Sequence, residues 1–249
     1  MRRYLFLPLL FLATAMQAQT ADEIIERAEN LLQGKTSRGT YEMIIVTPEY
    51  TRSMKMEYWW DDARDRSLIR TIAPKKEAGN KWLKIGNEMW NYLKATETTI
   101  KIPPSMMLQS WNGSDFTNDD LARESSMSED YDNSIIAEET INGEPCWKIA
   151  SAPRPEAAVV WGRIYSWVRK KDYLPSVAQY FDEKGKLMRV MLYSDFRVMD
   201  GRMIPGKWSI LNKVKEGHRT EFIIDDVDFD VPIPDRIFSF RELERGNQR

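Results

Sequence analysis

One histidine and one cysteine are all that this sequence offers among the side chains that most often act as nucleophiles, general bases or soft-metal ligands. His218 sits in the turn Gly217-His218-Arg219 among charged residues, where an imidazole is solvated and has no orienting partner. Cys146 stands mid-strand beside Trp147, the setting of a buried core thiol rather than of a nucleophile. A zinc site of the Cys/His type is excluded by count. Asp225, Asp226, Asp228 and Asp230 crowd together, but they lack the glycine spacing of a calcium loop and read as a strand edge whose acids face water. There is no glycine-rich phosphate loop and no Gly-x-Ser-x-Gly elbow. The sequence points away from an enzyme and requires no metal and no cofactor.

The side chains in excess are large and apolar. Nine tryptophans, thirteen methionines and ten tyrosines are many for a chain of 249 residues. Trp59, Trp60, Trp82, Trp90, Trp167 and Trp208 all fall on predicted strands. Several strands carry big side chains on both faces, and a second apolar face needs a helix, a flap or a ligand against it. The chemistry on offer is therefore burial of apolar matter.

A flap that could provide such cover runs from Lys101 to Leu121. Pro103 and Pro104 end the preceding strand, because proline cannot donate to a ladder. Met106, Met107, Leu108 and Trp111 follow, and their spacing puts Met107 and Trp111 on one side of a short helical turn. Gly113 permits a sharp break, and Ser114 or Thr117 is placed to cap another turn through Leu121. Methionine is flexible and polarisable, which suits a surface that fits variable apolar guests. The expectation is that Met106, Met107, Leu108, Trp111 and Phe116 line or cover a ligand cavity whose other wall holds Trp60, Trp82, Trp90 and Tyr92.

The elements that position this flap are strands. A helix comes first: Thr20 and Glu23 form a capping box, Ile24, Ala28 and Leu31 recur at helical spacing, and Gly34 stands where a C-terminal cap belongs. This predicts an amphipathic helix over 21–33 lying across a sheet. From Arg38 the period changes to two. Met54, Met56, Tyr58 and Trp60 share one strand face, and Gly86-Asn87 makes a two-residue hairpin turn. The segment 122–132 reads as an acidic loop or fraying helix, and the charged tail from Glu242 as loose. Roughly ten to twelve short antiparallel strands with regular turn signals predict a mainly β protein, a strongly curved sheet or half-open barrel.

The chain opens with Arg2 and Arg3, an apolar run over 5–13, and small residues at Ala13-Thr14-Ala15 or Met16-Gln17-Ala18. That is a secretory signal peptide over 1–18, too short for a membrane span, followed by one domain over 19–249. A single cysteine cannot form an internal disulfide, so the exported domain must stand on its core. The net charge of -2, with both signs mixed along the chain, argues against nucleic acid as a partner.

Together these features resemble the LolA-like family of outer-membrane lipoprotein-sorting proteins. The resemblance is carried by the signal peptide, the N-terminal helix, the hairpin at Asn87, the run Ile102-Pro103-Pro104-Ser105-Met106-Met107-Leu108-Gln109-Ser110-Trp111 and the run Gly113-Ser114-Asp115-Phe116-Thr117-Asn118-Asp119-Asp120-Leu121. It implies a half-open antiparallel β-barrel with an N-terminal helix and a helical lid. It also implies a periplasmic carrier that holds lipid or lipoprotein acyl chains for transfer towards the outer membrane. The partners implied are a lipid or acylated lipoprotein cargo, an inner-membrane transporter and an outer-membrane acceptor. A different class of function on the same scaffold is an envelope-stress sensor that signals by binding a membrane partner. No lid-gating arginine is assigned by the resemblance.

Overall fold

The computed structural model describes residues 19–107, 109–122, 127–155, 157 and 159–245. The predicted signal peptide and the predicted site residue Leu108 lie outside the described residues.

Two antiparallel meanders account for most of the chain. The first comprises β1 (Thr36–Val46), β2 (Thr51–Asp61), β3 (Arg66–Ala73), β4 (Lys81–Ile85), β5 (Glu88–Leu93) and β6 (Thr98–Lys101). The second comprises β7 (Tyr131–Ile141), β8 (Glu144–Pro153), β9 (Arg163–Arg169), β10 (Pro175–Phe181), β11 (Leu187–Met199), β12 (Arg202–Asn212) and β13 (Arg219–Phe229). They join where β1 pairs with β13, giving one 13-stranded antiparallel sheet in the order β6-β5-β4-β3-β2-β1-β13-β12-β11-β10-β9-β8-β7. The sheet is curved and unclosed, with β6 and β7 as its two edges.

Cross-strand partners share a face, so register carries one face across the sheet. Met43 lies opposite Phe222, Phe222 opposite Trp208, and Trp208 opposite Tyr193. Two residues back on β11, Met191 lies opposite Ala178, which lies opposite Ser166 and through it Ile149. We call this the inner face.

The helix α1 (Ala21–Gln33) has the predicted bounds and caps. Thr20 Oγ1 accepts from the Glu23 amide at 3.2 Å, and the Glu23 carboxylate accepts from the Thr20 amide at 3.0 Å. Its buried Ile24, Ile25 and Ala28 pack on Ile149 of β8 and Val168 of β9, which covers the inner face at one end of the sheet. Among the described residues, no helix is long and apolar enough to cross a membrane.

Between the edges, residues 102–130 contain two 3-10 turns, Pro104–Met106 and Trp111–Gly113, then α2 (Asn118–Ala122) and α3 (Met127–Asp130). The acidic stretch, predicted as loop or fraying helix over 122–132, holds the short helix α3 and gives way to β7 already at Tyr131.

The C-terminal tail is not loose from Glu242, as its charges suggested. A 3-10 turn Asp235–Phe238 and α4 (Phe240–Glu244) pack Phe238 and Leu243 on Leu68, Leu83 and Tyr92 of β3, β4 and β5, on the outer face. The reason is the second apolar face of those strands, which this tail covers. Ser239 caps α4 by accepting from the Glu242 amide at 3.2 Å. From the sheet, Lys81 Nζ donates to the Glu242 and Arg245 carbonyls at the helix end, where a cation is favoured.

Candidate functional site

The lid begins where the prolines remove it from the sheet. The Ile102 amide still donates to the Met89 carbonyl at 2.8 Å; after it the chain crosses onto the inner face. Asn112 and Gly113 follow one another at φ 53° and 75°, a left-handed pair that glycine makes accessible and that turns the Trp111 ring inward. Trp111 is 2% exposed and Met107 is 9% exposed. They share one cluster with Met43, Met54, Met56, Trp82 and Met89, and the Trp111 ring meets the Trp82 ring edge-on at 5.1 Å. Phe116 continues the seat towards the middle of the sheet, with its ring 6.1 Å from that of Phe222. Phe222 in turn stacks at 4.0 Å on Tyr41 and 5.7 Å from Trp208, so an aromatic row runs under the lid.

Polar anchors hold the lid down. Thr117 and Asp120 form a second capping box: Thr117 Oγ1 accepts from the Asp120 amide at 3.1 Å, and the Asp120 carboxylate accepts from the Thr117 amide at 2.7 Å. The same carboxylate takes both terminal nitrogens of Arg189, on β11, at 2.6 Å each. This pair is buried, with 7% and 15% of the two side chains exposed. Burial alone would raise the Asp120 pKa, but Arg189 and the Thr117 hydrogen bonds outweigh it and hold it below the ordinary aspartate value. Nearby, the Asp115 carboxylate accepts from Thr220 Oγ1 at 2.9 Å and from Asn212 Nδ2 at 2.8 Å. Arg52 donates to the Asn112 carbonyl at the lid's turn. Two buried groups in the seat, Trp111 Nε1 and Thr71 Oγ1, have no hydrogen-bond partner among the described residues. A buried donor or acceptor left without a partner costs about 1–3 kcal/mol.

The predicted wall divides. Met107, Trp111, Phe116 and Trp82 come together, whereas Met106 is half-buried and not part of that cluster. Trp60 is on the inner face, but the Lys84 ammonium covers its ring at 5.4 Å and it stands outside the lid's cluster. Trp90 and Tyr92 are corrected: both lie on the outer face, Tyr92 in the cluster under α4 and Trp90 against Phe240. The two-residue turn decides this. Ile85 pairs with Glu88, so Trp82 pairs with Asn91 and Leu83 with Trp90, and the two tryptophans point to opposite faces. Sequence reading missed Arg189, Asp120, Phe222 and Trp208. The available signal was an arginine sharing strand parity with Met191 and Tyr193.

The cysteine and the acidic run singled out in the sequence are buried or ion-paired. Cys146 is fully buried, and burial pushes its thiol pKa up. Asp225 and Asp228 pair with Lys55 at 2.7 Å and Arg38 at 3.0 Å, and Asp230 pairs with Arg202.

A family model described as "uncharacterized protein" matches residues 63–245. The chain belongs to this family. No curated protein matches the sequence. A solved DUF1329 family protein from Desulfovibrio piger is 23% identical, with a TM-score of 0.81 over 90% of this chain and 97% of that one. A putative outer membrane lipoprotein-sorting protein domain from Vibrio parahaemolyticus is 20% identical, with a TM-score of 0.79 over 90% and 98% of the two chains. A LolA superfamily protein from Nitrosomonas europaea is 20% identical, with a TM-score of 0.76 over 91% and 100%. The fold is LolA-like, a curved open sheet with helical cover.

Proposed function

We propose that this protein is a periplasmic carrier that holds lipid or lipoprotein acyl chains between the inner face of the sheet and the lid, for transfer towards the outer membrane. The observation that carries the reading is the character of the lid. Its apolar underside, Met107, Trp111 and Phe116, rests on flexible methionines and aromatics, while what fastens it is polar and reversible. At rest the lid is shut. Opening it exchanges protein-protein apolar contacts for contacts with an acyl chain, each buried methylene contributing about 0.8 kcal/mol. The likeness in fold to a putative outer membrane lipoprotein-sorting protein domain and to a LolA superfamily protein supports the same reading. The cargo-facing residues are then Met107, Trp111, Phe116 and Trp82, with Met54, Met56 and Met89 as the floor. The partners would be a membrane donor of acylated cargo and an outer-membrane acceptor, and the protein would perform no chemistry on its cargo.

The test is lipid extraction and mass spectrometry of protein purified from periplasm, together with titration by a fluorescent fatty acid. Stoichiometric acyl species and a saturable probe signal are expected. A clean extract with no probe binding at any concentration below micelle formation sinks the carrier reading.

A further inference from the structure

Beneath the lid lies a charge that an acyl-chain site does not need. Arg189 projects from β11 onto the inner face and is 6% exposed, packed against the rings of Trp161 and Tyr180, whose centres lie 4.5 Å and 4.4 Å from its guanidinium carbon. Those two rings, 5.3 Å apart, fix the guanidinium to the sheet. Its anion, Asp120, belongs to α2 and therefore to the lid. Anything that lifts the lid takes the carboxylate away and leaves the cation behind. Arginine does not give up its proton, and an uncompensated buried charge is strongly unfavourable. An opened chamber therefore demands a replacement anion in the same place.

Other groups around this point suit such a guest. Arg189 Nε has no hydrogen-bond partner among the described residues. Tyr131 is fully buried, and its hydroxyl also has none. Burial, with further contributions from neighbouring side chains, holds the Tyr131, Tyr180 and Tyr193 hydroxyls above the ordinary phenol value, so all three stay protonated.

We propose that Arg189 is the receptor for the anionic head of an acyl amphiphile, a carboxylate or phosphate presenting two oxygens to the guanidinium, and that Asp120 occupies this receptor while the lid is shut. The inference rests on the carrier reading and specifies its cargo. The acyl chain lies along the methionine floor, the head sits at Arg189, and the Tyr131 hydroxyl donates to a head oxygen. A neutral amphiphile fills the floor but leaves the cation bare. The same group thus shuts the lid in the absence of cargo and selects the cargo that opens it.

The experiment titrates the intact folded protein with dodecanoate, dodecyl phosphate and dodecanol below their aggregation limits, read by tryptophan fluorescence. At least one anionic probe is expected to bind about tenfold or more tightly than dodecanol, the value of one charge-assisted hydrogen bond. The comparison between the two anions tells carboxylate from phosphate. Arg189→Gln should bring the anion-to-alcohol ratio close to one while dodecanol still binds. Asp120→Asn, which removes the internal competitor and leaves the cation, should raise that ratio above wild type, and it carries the test if Arg189→Gln does not fold. Equal binding of anions and dodecanol to the wild type, or a preference that survives Arg189→Gln, overturns the assignment and leaves the carrier reading standing. If no alkyl probe binds the folded wild type, both fall.

Discussion

The lid on the inner face and the C-terminal clasp on the outer face solve the same problem differently. Each covers an apolar patch of the first meander, and each is held by a buried cation rising from the sheet. Lys81 holds the clasp through main-chain carbonyls of Glu242 and Arg245. Arg189 holds the lid chiefly through one side-chain carboxylate, that of Asp120 at 2.6 Å, with a longer bond to the Asp115 carbonyl at 3.5 Å. A carbonyl pair at a helix end has no diffusing equivalent, whereas a carboxylate has many. Leu243 is fully buried in the clasp, and Ser239 satisfies its helix start. In the lid seat, Trp111 Nε1 and Thr71 Oγ1 have no partner among the described residues. The difference lies in the fastening, main-chain carbonyls at a helix end for the clasp and chiefly a side-chain carboxylate for the lid; on the proposed carrier function, the clasp is then permanent core and the lid the cover that exchanges.

Substitution in the clasp gives the largest expected effect and should act on the whole fold. Leu243→Ala should lower unfolding free energy by about 2–5 kcal/mol in denaturant titrations, with fatty-acid probe affinity unchanged. A matching loss of affinity would show that the two covers are not independent. Lys81→Met should cost less, about 1–3 kcal/mol, because it strands the two helix-end carbonyls.

The lid should respond in the opposite sense. Glutamine at both Met107 and Trp111 is expected to weaken the fluorescent fatty-acid probe by about tenfold or more, with a smaller drop in melting temperature than Leu243→Ala gives. If that double variant unfolds and the wild type binds no probe, these residues are ordinary core and the contrast with the clasp disappears.

Acid sharpens the comparison further. The folded pKa of Asp120 lies below its unfolded value of 3.8, so its pairing with Arg189 stabilises fully above 3.8 and is lost as pH falls through the folded value. Amide exchange over residues 109–121, corrected for intrinsic rates, should accelerate in that window, and Asp120→Asn should remove the dependence. The smallest effect belongs to His218→Ala, within about 0.5 kcal/mol in stability and without change in probe binding.

Much of this was legible in the chain. The bounds of α1 follow from Thr20, Glu23 and Gly34, whose capping chemistry is local and independent of tertiary context. The hairpin at Gly86-Asn87 was equally clear, and its pairing already places Trp82 and Trp90 on opposite faces; the arithmetic of the turn, not the apolarity of the residues, separates them. The Met107 and Trp111 seat was readable because two prolines remove the chain from the sheet. The grip of Arg189 on Asp120 was not, because residues far apart in sequence meet only once β11 is placed in register. The docked tail was hidden for another reason: its charges face water, while Phe238 and Leu243 are too few to make a periodic signal.

The connection between the meanders has a mechanical meaning. Residues 102–130 join β6 to β7, and those are the two opposite edges of the open sheet. The lid is therefore a chord across an arc, tied at both ends, and not a door on one hinge. It cannot swing clear. Its reach is tied to the separation of the two edges, and so to the curvature of the sheet. On the proposed carrier function a guest enters sideways beneath the chord, and a single proteolytic nick in it would free both edges at once, leaving the meanders joined through β1 and β13.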